Sequence, residues 1–297
     1  LIIIMKKNLA ITGGYGFLGN NLVKILNSNF NIIFLEKPSK IKKAFHKQSK
    51  IKIFDISKVN VIFLKKYKIN TIIHLAWTTR YFNSKLIQKK NFLISKKLLN
   101  SSLKANCNFI FSSTSAIYGD SLLKKPYLNE YAKFKLKFEN HLKHFFSLKN
   151  KIYCLRLFNI YGNDESKKKD KASSVYKFVQ SLKNTKKIIL YKGIKYQGKE
   201  ISPSREWLFI KDACKIIKIL ISKKIKNGIY DVSCKEKISF DYLASLIIKQ
   251  FGYGEIKYSK IPSYKKLNYQ RHNFSTDKHI SSLIRYKFTG IIRALRI

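Results

Sequence analysis

The segment TGGYGFLG, Thr12 to Gly19, constrains this chain more than any other stretch. It follows a short apolar run, NLAIT, and opens an amphipathic one, FLGNNLVKIL. Gly13, Gly16 and Gly19 therefore stand at a strand-to-helix turn in a G-x-x-G-x-x-G pattern. Glycine permits the tight turn, lets a charged ligand group approach the backbone, and leaves room for the helix to pack on the strand. A helix starting there points its amides and the positive end of its dipole at whatever lies over the turn, which suits a pyrophosphate. Glu36 closes the next apolar run, NIIFLE, where a carboxylate can accept ribose hydroxyls. Together these features predict dinucleotide binding, with NAD favoured because a 2′-phosphate would meet a carboxylate; Lys37 leaves NADP open.

The rest of the first half fits that turn. Strand candidates at Asn8–Thr12, Asn31–Leu35, Ile51–Phe54, Thr71–Leu75, Asn108–Ser112 and Ile152–Leu157 alternate with amphipathic stretches that include Leu18–Asn27, Lys85–Lys104 and Leu128–Phe146. Short apolar strands separated by helices imply an α/β fold, a Rossmann-type doubly wound parallel sheet covered on both faces. We assign residues 1–162 to it, with the sheet completed by about 200–234. Residues 163–199 and 235–297 are expected to form a smaller C-terminal substrate-binding lobe. Within these, Ala172–Leu182 reads as a helix, Lys187–Leu190 and Gly228–Val232 as strands, and REWLFIKDACKIIKIL as a strand passing into a helix.

Composition narrows the class further. A chain of 297 residues, 45% apolar, can bury a substantial core. Cys107, Cys154, Cys214 and Cys234 lack C-x-x-C spacing, so no metal site is expected and a reducing cytoplasm fits best. The opening LIIIMKKNLAI is broken by Lys6 and Lys7 and reads as a first strand rather than a secretion signal, with Met5 a candidate start. No apolar run approaches the ~18 residues of a membrane span. The formal charge of +45 would suit nucleic acid, but only seven of the 61 basic residues are arginines and the lysines are spread over nearly every segment. Base-reading surfaces favour arginine and phosphate grooves concentrate charge, so we read a coding bias toward lysine and expect no specific nucleic-acid partner. The field would still attract an anionic substrate.

Downstream, FIFSSTSAIYG ends a strand in hydroxyl residues, and NEYAKFKLKFENHL carries Tyr131 and Lys135 four residues apart. On a helix that spacing puts phenol and ammonium on one face, where a lysine can lower the tyrosine pKa and make it a proton acceptor. With 54 lysines and 18 tyrosines the pair means little alone; the order of motifs carries the weight. Glycine turn, acidic residue after the second strand, Ser/Thr strand end and Tyr/Lys helix together resemble the extended short-chain dehydrogenase/reductase family, the nucleotide-sugar epimerases and dehydratases.

The resemblance implies catalytic roles for Thr114, Tyr131 and Lys135. It implies a cofactor held by Gly13, Gly16, Phe17, Leu18 and Gly19 at the turn, and by Glu36, Asp55 and Ile56 around the adenosine. Leu75, Ala76 and Asn91 would lie beneath the cofactor, and Tyr131, Lys135 and Phe158 near its nicotinamide end. Thr114, Asn159, Arg205 and Arg271 would face the nucleotide-sugar substrate, and Asp212 would cap a helix. His74 is expected to be a packed core residue. The family's dehydratases carry an Asp-Glu pair after the threonine, and its UDP-glucuronate decarboxylases a glutamate; Ser115-Ala116 stand there. A methyl group moves no proton, which leaves epimerisation or reduction of a keto sugar.

The expectation is thus an NAD-dependent nucleotide-sugar epimerase, cytoplasmic, with transient oxidation at sugar C4. Its alternatives are an NAD(P)H-dependent keto-sugar reductase and, from the tail IKYSKIPSYKKLNYQRHNFSTD and KDKASSV, an enzyme similar to the ADP-heptose 6-epimerases with a catalytic lysine near Lys169. A basic dinucleotide-binding protein associating with RNA or membrane is the non-enzymatic rival. A homodimer is compatible with all of them. The loop of twelve residues between Tyr118 and Tyr131 is shorter than in relatives, which bears on sugar specificity.

Overall fold

A computed structural model describes residues 6–39, 51–79, 83–120, 127–192, 195–262, 271–276 and 278–295. Met5, residues 121–126 of the short loop and the side chain of Lys169 lie outside them. The chain divides into two compact units: residues 1–113, 134–155 and 214–230, and residues 114–133, 156–213 and 231–297.

The first unit is built on the central parallel sheet. The strands of that sheet are β1 (Asn8–Thr12), β2 (Asn31–Glu36), β3 (Lys52–Asp55), β4 (Ile69–His74), β5 (Asn108–Thr114), β6 (Ile152–Leu157) and β7 (Gly228–Val232), in the order β7-β6-β5-β4-β1-β2-β3, and the last residues of β5, β6 and β7 are counted in the second unit. Strand order reverses beside β1, and the register pairs Thr12 with Leu35 on one side and His74 on the other. The carboxyl ends of these strands thus open a crevice at the point where ligands bind in such sheets. Helix α1 (Phe17–Leu26) follows the glycine turn, α2 (Lys85–Lys104) follows β4, and α3 (Glu130–Lys143) follows β5. Ala10, Leu35, Ile72, Phe109, Phe111 and Phe138 belong to one buried cluster. Each large apolar side chain so removed from water contributes about 1.5–3 kcal/mol.

Helix α3 starts where Asn129 Oδ1 accepts the Ala132 amide at 2.9 Å, a side-chain cap that ends the extended approach to it. Its inward stripe runs through Phe134, Lys135, Phe138, Glu139 and Leu142, all buried. Two charged residues on an otherwise apolar stripe are the first sign that this helix does more than pack.

In the second unit, Ser204–Phe209 pairs antiparallel with Lys237–Ser239 and parallel with His272–Asn273 and with Asn159–Tyr161. Within 200–234 only β7 therefore joins the central sheet, and Ser204–Phe209 belongs elsewhere than expected. The reason is physical: WLF is buried along its length, and a continuous apolar run reads as a core strand without saying which sheet it enters. Lys187–Lys192 runs parallel to Glu255–Lys260, a lysine-bearing segment read from sequence as irregular.

Candidate active site

At the glycine turn Gly13 takes φ +71°, and a Cβ there would lie 3.0 Å from the Ala76 amide nitrogen. Gly19 is tighter: a Cβ would meet the Gly13 carbonyl oxygen at 2.4 Å and Gly14 Cα at 2.7 Å. Helix α1 therefore approaches the turn as closely as backbone allows, with Phe17 and Leu18 in its first turn. Its N-cap is Gly16, in extended conformation and with no capping side chain. That leaves the helix start open to an anion.

Beneath the turn runs a buried polar chain. Thr12 Oγ1 accepts the amides of Leu75 at 3.1 Å and Ala76 at 2.9 Å, and lies 2.8 Å from His74 Nδ1. His74 Nε2 lies 2.8 Å from Ser95 Oγ, which donates to the Asn91 carbonyl. The donors close in one arrangement, Thr12 donating to Nδ1 and Nε2–H donating to Ser95. Burial, with the Lys135 charge second, pushes His74 down to about 3, so it is a neutral core histidine, as the sequence suggested.

Glu36, at the end of β2, is buried and accepts the Tyr15 amide at 3.3 Å. It lines a cavity of about 280 Å³ together with Ile56, Ala76, Trp77, Thr78 and Asn91. Asp55 stands opposite Glu36 across the β2/β3 ladder and caps the turn at Ile56 by accepting the Ser57 amide at 2.8 Å. Asn91 contacts Gln88 and both the amide and the carbonyl of Thr78, fixing the segment after Ala76. An uncapped helix start, a buried carboxylate and an apolar wall are what a pyrophosphate, a ribose diol and an adenine require, so these residues fit a dinucleotide.

Thr114 ends β5. Its hydroxyl caps the next turn by accepting the Ala116 amide at 3.2 Å and is hydrogen-bonded to the Tyr131 phenol. Burial pushes Tyr131 up to about 12 against the opposing effect of that bond, the reverse of the direction expected from sequence. Lys135, one turn further along α3, is turned inward: Nζ donates to the Ser112 carbonyl at 2.5 Å and lies 4.4 Å from the ring centres of both Trp77 and Phe111. Burial pulls it down to about 7, opposed by Cys154 and Glu139. Helical spacing alone cannot show that a charged side chain on the right face points into the fold.

In the second unit Phe158 is buried, its amide donating to the Val232 carbonyl at 3.2 Å. Asn159 Nδ2 donates to the Glu206 carbonyl at 2.8 Å. Arg205 donates to the carbonyls of Ser204 and Arg271, both at 2.9 Å, and so ties two neighbouring strands. Arg271 forms an ion pair at 2.8 Å with Asp120, whose carboxylate is fully buried, while the arginine side chain keeps 28% exposure. Asp212 lies in the first turn of the helix Ile210–Ser222 and accepts from the Tyr286 hydroxyl and from Thr289. Sequence reasoning passed over Asp120 and Glu139. Asp120 had no local signal, but Glu139 follows Tyr131 and Lys135 at the same four-residue step.

Known proteins resemble this chain in sequence and in fold. The model of the family described as Epimerase, NAD dependent epimerase/dehydratase family, matches residues 9–233. An ADP-L-glycero-D-manno-heptose-6-epimerase from Alkalilimnicola ehrlichii is 27% identical over 282 residues, 89% of this chain and 87% of that protein. Among solved structures, the UDP-N-acetylglucosamine 4-epimerase of Methanobrevibacter ruminantium M1 superposes with TM-score 0.80 at 22% identity, covering 98% of this chain and 97% of that one. The Helicobacter pylori ADP-L-glycero-D-manno-heptose-6-epimerase gives TM-score 0.78 at 19% identity, covering 98% and 94%.

Proposed function

This chain belongs to the NAD dependent epimerase/dehydratase family, and on that premise we propose that it is a nucleotide-sugar epimerase acting through transient oxidation of one carbinol carbon, C4 in the first reading. The observation that carries the reading is the hydrogen-bonded pair of Thr114 and Tyr131 hydroxyls, at a strand end followed by Ser115 and Ala116 rather than by an acid. NAD, when bound, would supply the acceptor and donor of the hydride. The glycine turn and the start of α1 would hold its pyrophosphate, and Glu36 would accept its adenosine ribose hydroxyls. Of the two arginines we assign the diphosphate of the substrate to Arg271, which is the more exposed.

Thr114 and Tyr131 orient the reacting sugar oxygen, and Tyr131 takes and returns its proton. A phenol at about 12 is a poor base at neutral pH, so this step needs a positive charge brought close. Lys135, one helical turn on, is the chain's own source of it. Ser115 and Ala116 offer no carboxylate to drive loss of water or carbon dioxide. The four free thiols support a reducing cytoplasm as the compartment.

The heptose-epimerase relatives favour a second reading, in which the reacting carbon is C6 of an ADP-linked heptose. One experiment separates the two. The purified protein is incubated with a panel of UDP-hexoses and ADP-heptoses plus NAD⁺, and products are identified by NMR. An isomer inverted at C4 supports the first reading and one inverted at C6 the second. Turnover only of keto sugars, with stoichiometric consumption of NADPH, would replace both with a reductase.

A further inference from the structure

Consecutive residues at the end of β5 each engage a different turn of α3. The Ser112 carbonyl accepts from Lys135, Ser113 Oγ donates to Glu139, and Thr114 is bonded to Tyr131. Tyr131, Lys135 and Glu139 follow one another at four-residue steps and share a helix face. Glu139 has no exposed surface and Lys135 only 2%. A carboxylate buried this deeply is strongly disfavoured unless its charge is compensated, and the Ser113 hydroxyl supplies one donor to it.

The surroundings of Lys135 point to the compensation. From α3 comes Glu139; from β4, His74; from β6, Cys154; and the rings of Trp77 and Phe111 enclose the head group. His74 is neutral, and a buried cysteine behaves as a small hydrophobe. Glu139 is the carboxylate of this set.

We propose that Glu139 is a positioning residue of the site: tethered by Ser113, its carboxylate is the buried counter-charge that keeps Lys135 an ammonium seated on the Ser112 carbonyl. The proposal rests on the role given to Lys135 above. A lysine that must be charged works below its pKa and fails as pH rises through it. With burial already drawing Lys135 down to about 7, loss of the carboxylate lowers it further, and the alkaline limb of activity moves to lower pH.

The test is the pH profile of kcat/KM, which reports the free enzyme, for wild type, Glu139→Gln, Glu139→Asp and Lys135→Met. Glutamine keeps the shape and can still accept from Ser113. In Glu139→Gln the alkaline limb is expected to move down by about one pH unit, with activity well below the limb near that of wild type. Glu139→Asp, its carboxylate drawn back by one methylene, should fall between the two. If the glutamine variant does not fold, the aspartate variant must still move the limb the same way by a smaller amount. A uniform loss at every pH, or an unmoved limb, makes Glu139 merely structural and overturns the proposal. Should Lys135→Met keep wild-type activity and the same limb, the role of Lys135 fails and takes the proposal with it. A limb abolished in Lys135→Met but unmoved in Glu139→Gln overturns the proposal alone.

Discussion

The two compact units build their candidate ligand-binding elements by different means. In the first, the candidate elements are backbone: a glycine at φ +71°, a helix start without a capping side chain, and strand ends knit by the neutral chain from Thr12 through His74 to Ser95. In the second they are side chains already engaged, Thr114 with Tyr131 and Arg271 with Asp120. Backbone sites tolerate little change of shape, because a clash with a carbonyl has nowhere to go. Side-chain sites tolerate changes of shape better than the loss of one partner from a buried pair.

The largest effect should come from the second unit. Tyr131→Phe removes the proton acceptor and keeps the ring, so kcat should fall roughly 10²–10⁴-fold while NAD affinity by calorimetry stays within about twofold. A parallel fall in NAD affinity would break the division, since Tyr131 would then belong to cofactor binding.

Acid stability puts one histidine of each unit to the test. Burial pushes His74 down to about 3 and His279 to about 4, from an ordinary 6.5. The unfolded chain therefore binds more protons than the folded one below pH 6.5. Stability should fall with falling pH from about 6.5 to about 4, each histidine contributing a slope of about 1.4 kcal/mol per pH unit, and should flatten below the folded values. Urea titrations across that range check it, and His279→Asn should remove one of the two contributions.

An asymmetry within the second unit comes next. Arg271→Met takes the guanidinium from a fully buried carboxylate and should destabilise by about 3 kcal/mol, whereas Asp120→Asn leaves a guanidinium that water reaches and should cost about 1. Equal losses in urea unfolding would show that Asp120 is compensated otherwise.

The glycine turn supplies the remaining contrast. Gly19→Ala forces a methyl group against the Gly13 carbonyl and should destabilise by about 1–3 kcal/mol, with NAD affinity falling together with stability. Unchanged NAD binding would mean that the turn is only a packing device.

Much of the first unit was legible because its signals are local. β1, β6 and β7 begin and end where the sequence placed them, since short apolar runs bounded by turns leave little freedom. Ser204–Phe209 was legible as a strand, but its partners at 159–161, 237–239 and 272–273 depend on distant pairings that no period records. Asp120 and Arg271 are 151 residues apart, and their pairing is likewise invisible in either segment. Glu139 was within reach, at the same step as Tyr131 and Lys135. It was passed over because an acidic residue in a lysine-rich helix looks like a solvated one. The inward turn of Lys135 was hidden for the same reason.

The most direct test of the central claim, oxidation and re-reduction of one carbon by the same bound cofactor, is the fate of a deuterium placed on that carbon. With NAD bound and ordinary water as solvent, the inverted product should keep the deuterium at the same carbon and have unchanged mass. Loss of the deuterium to solvent, or a product lighter by water or carbon dioxide, would contradict the account.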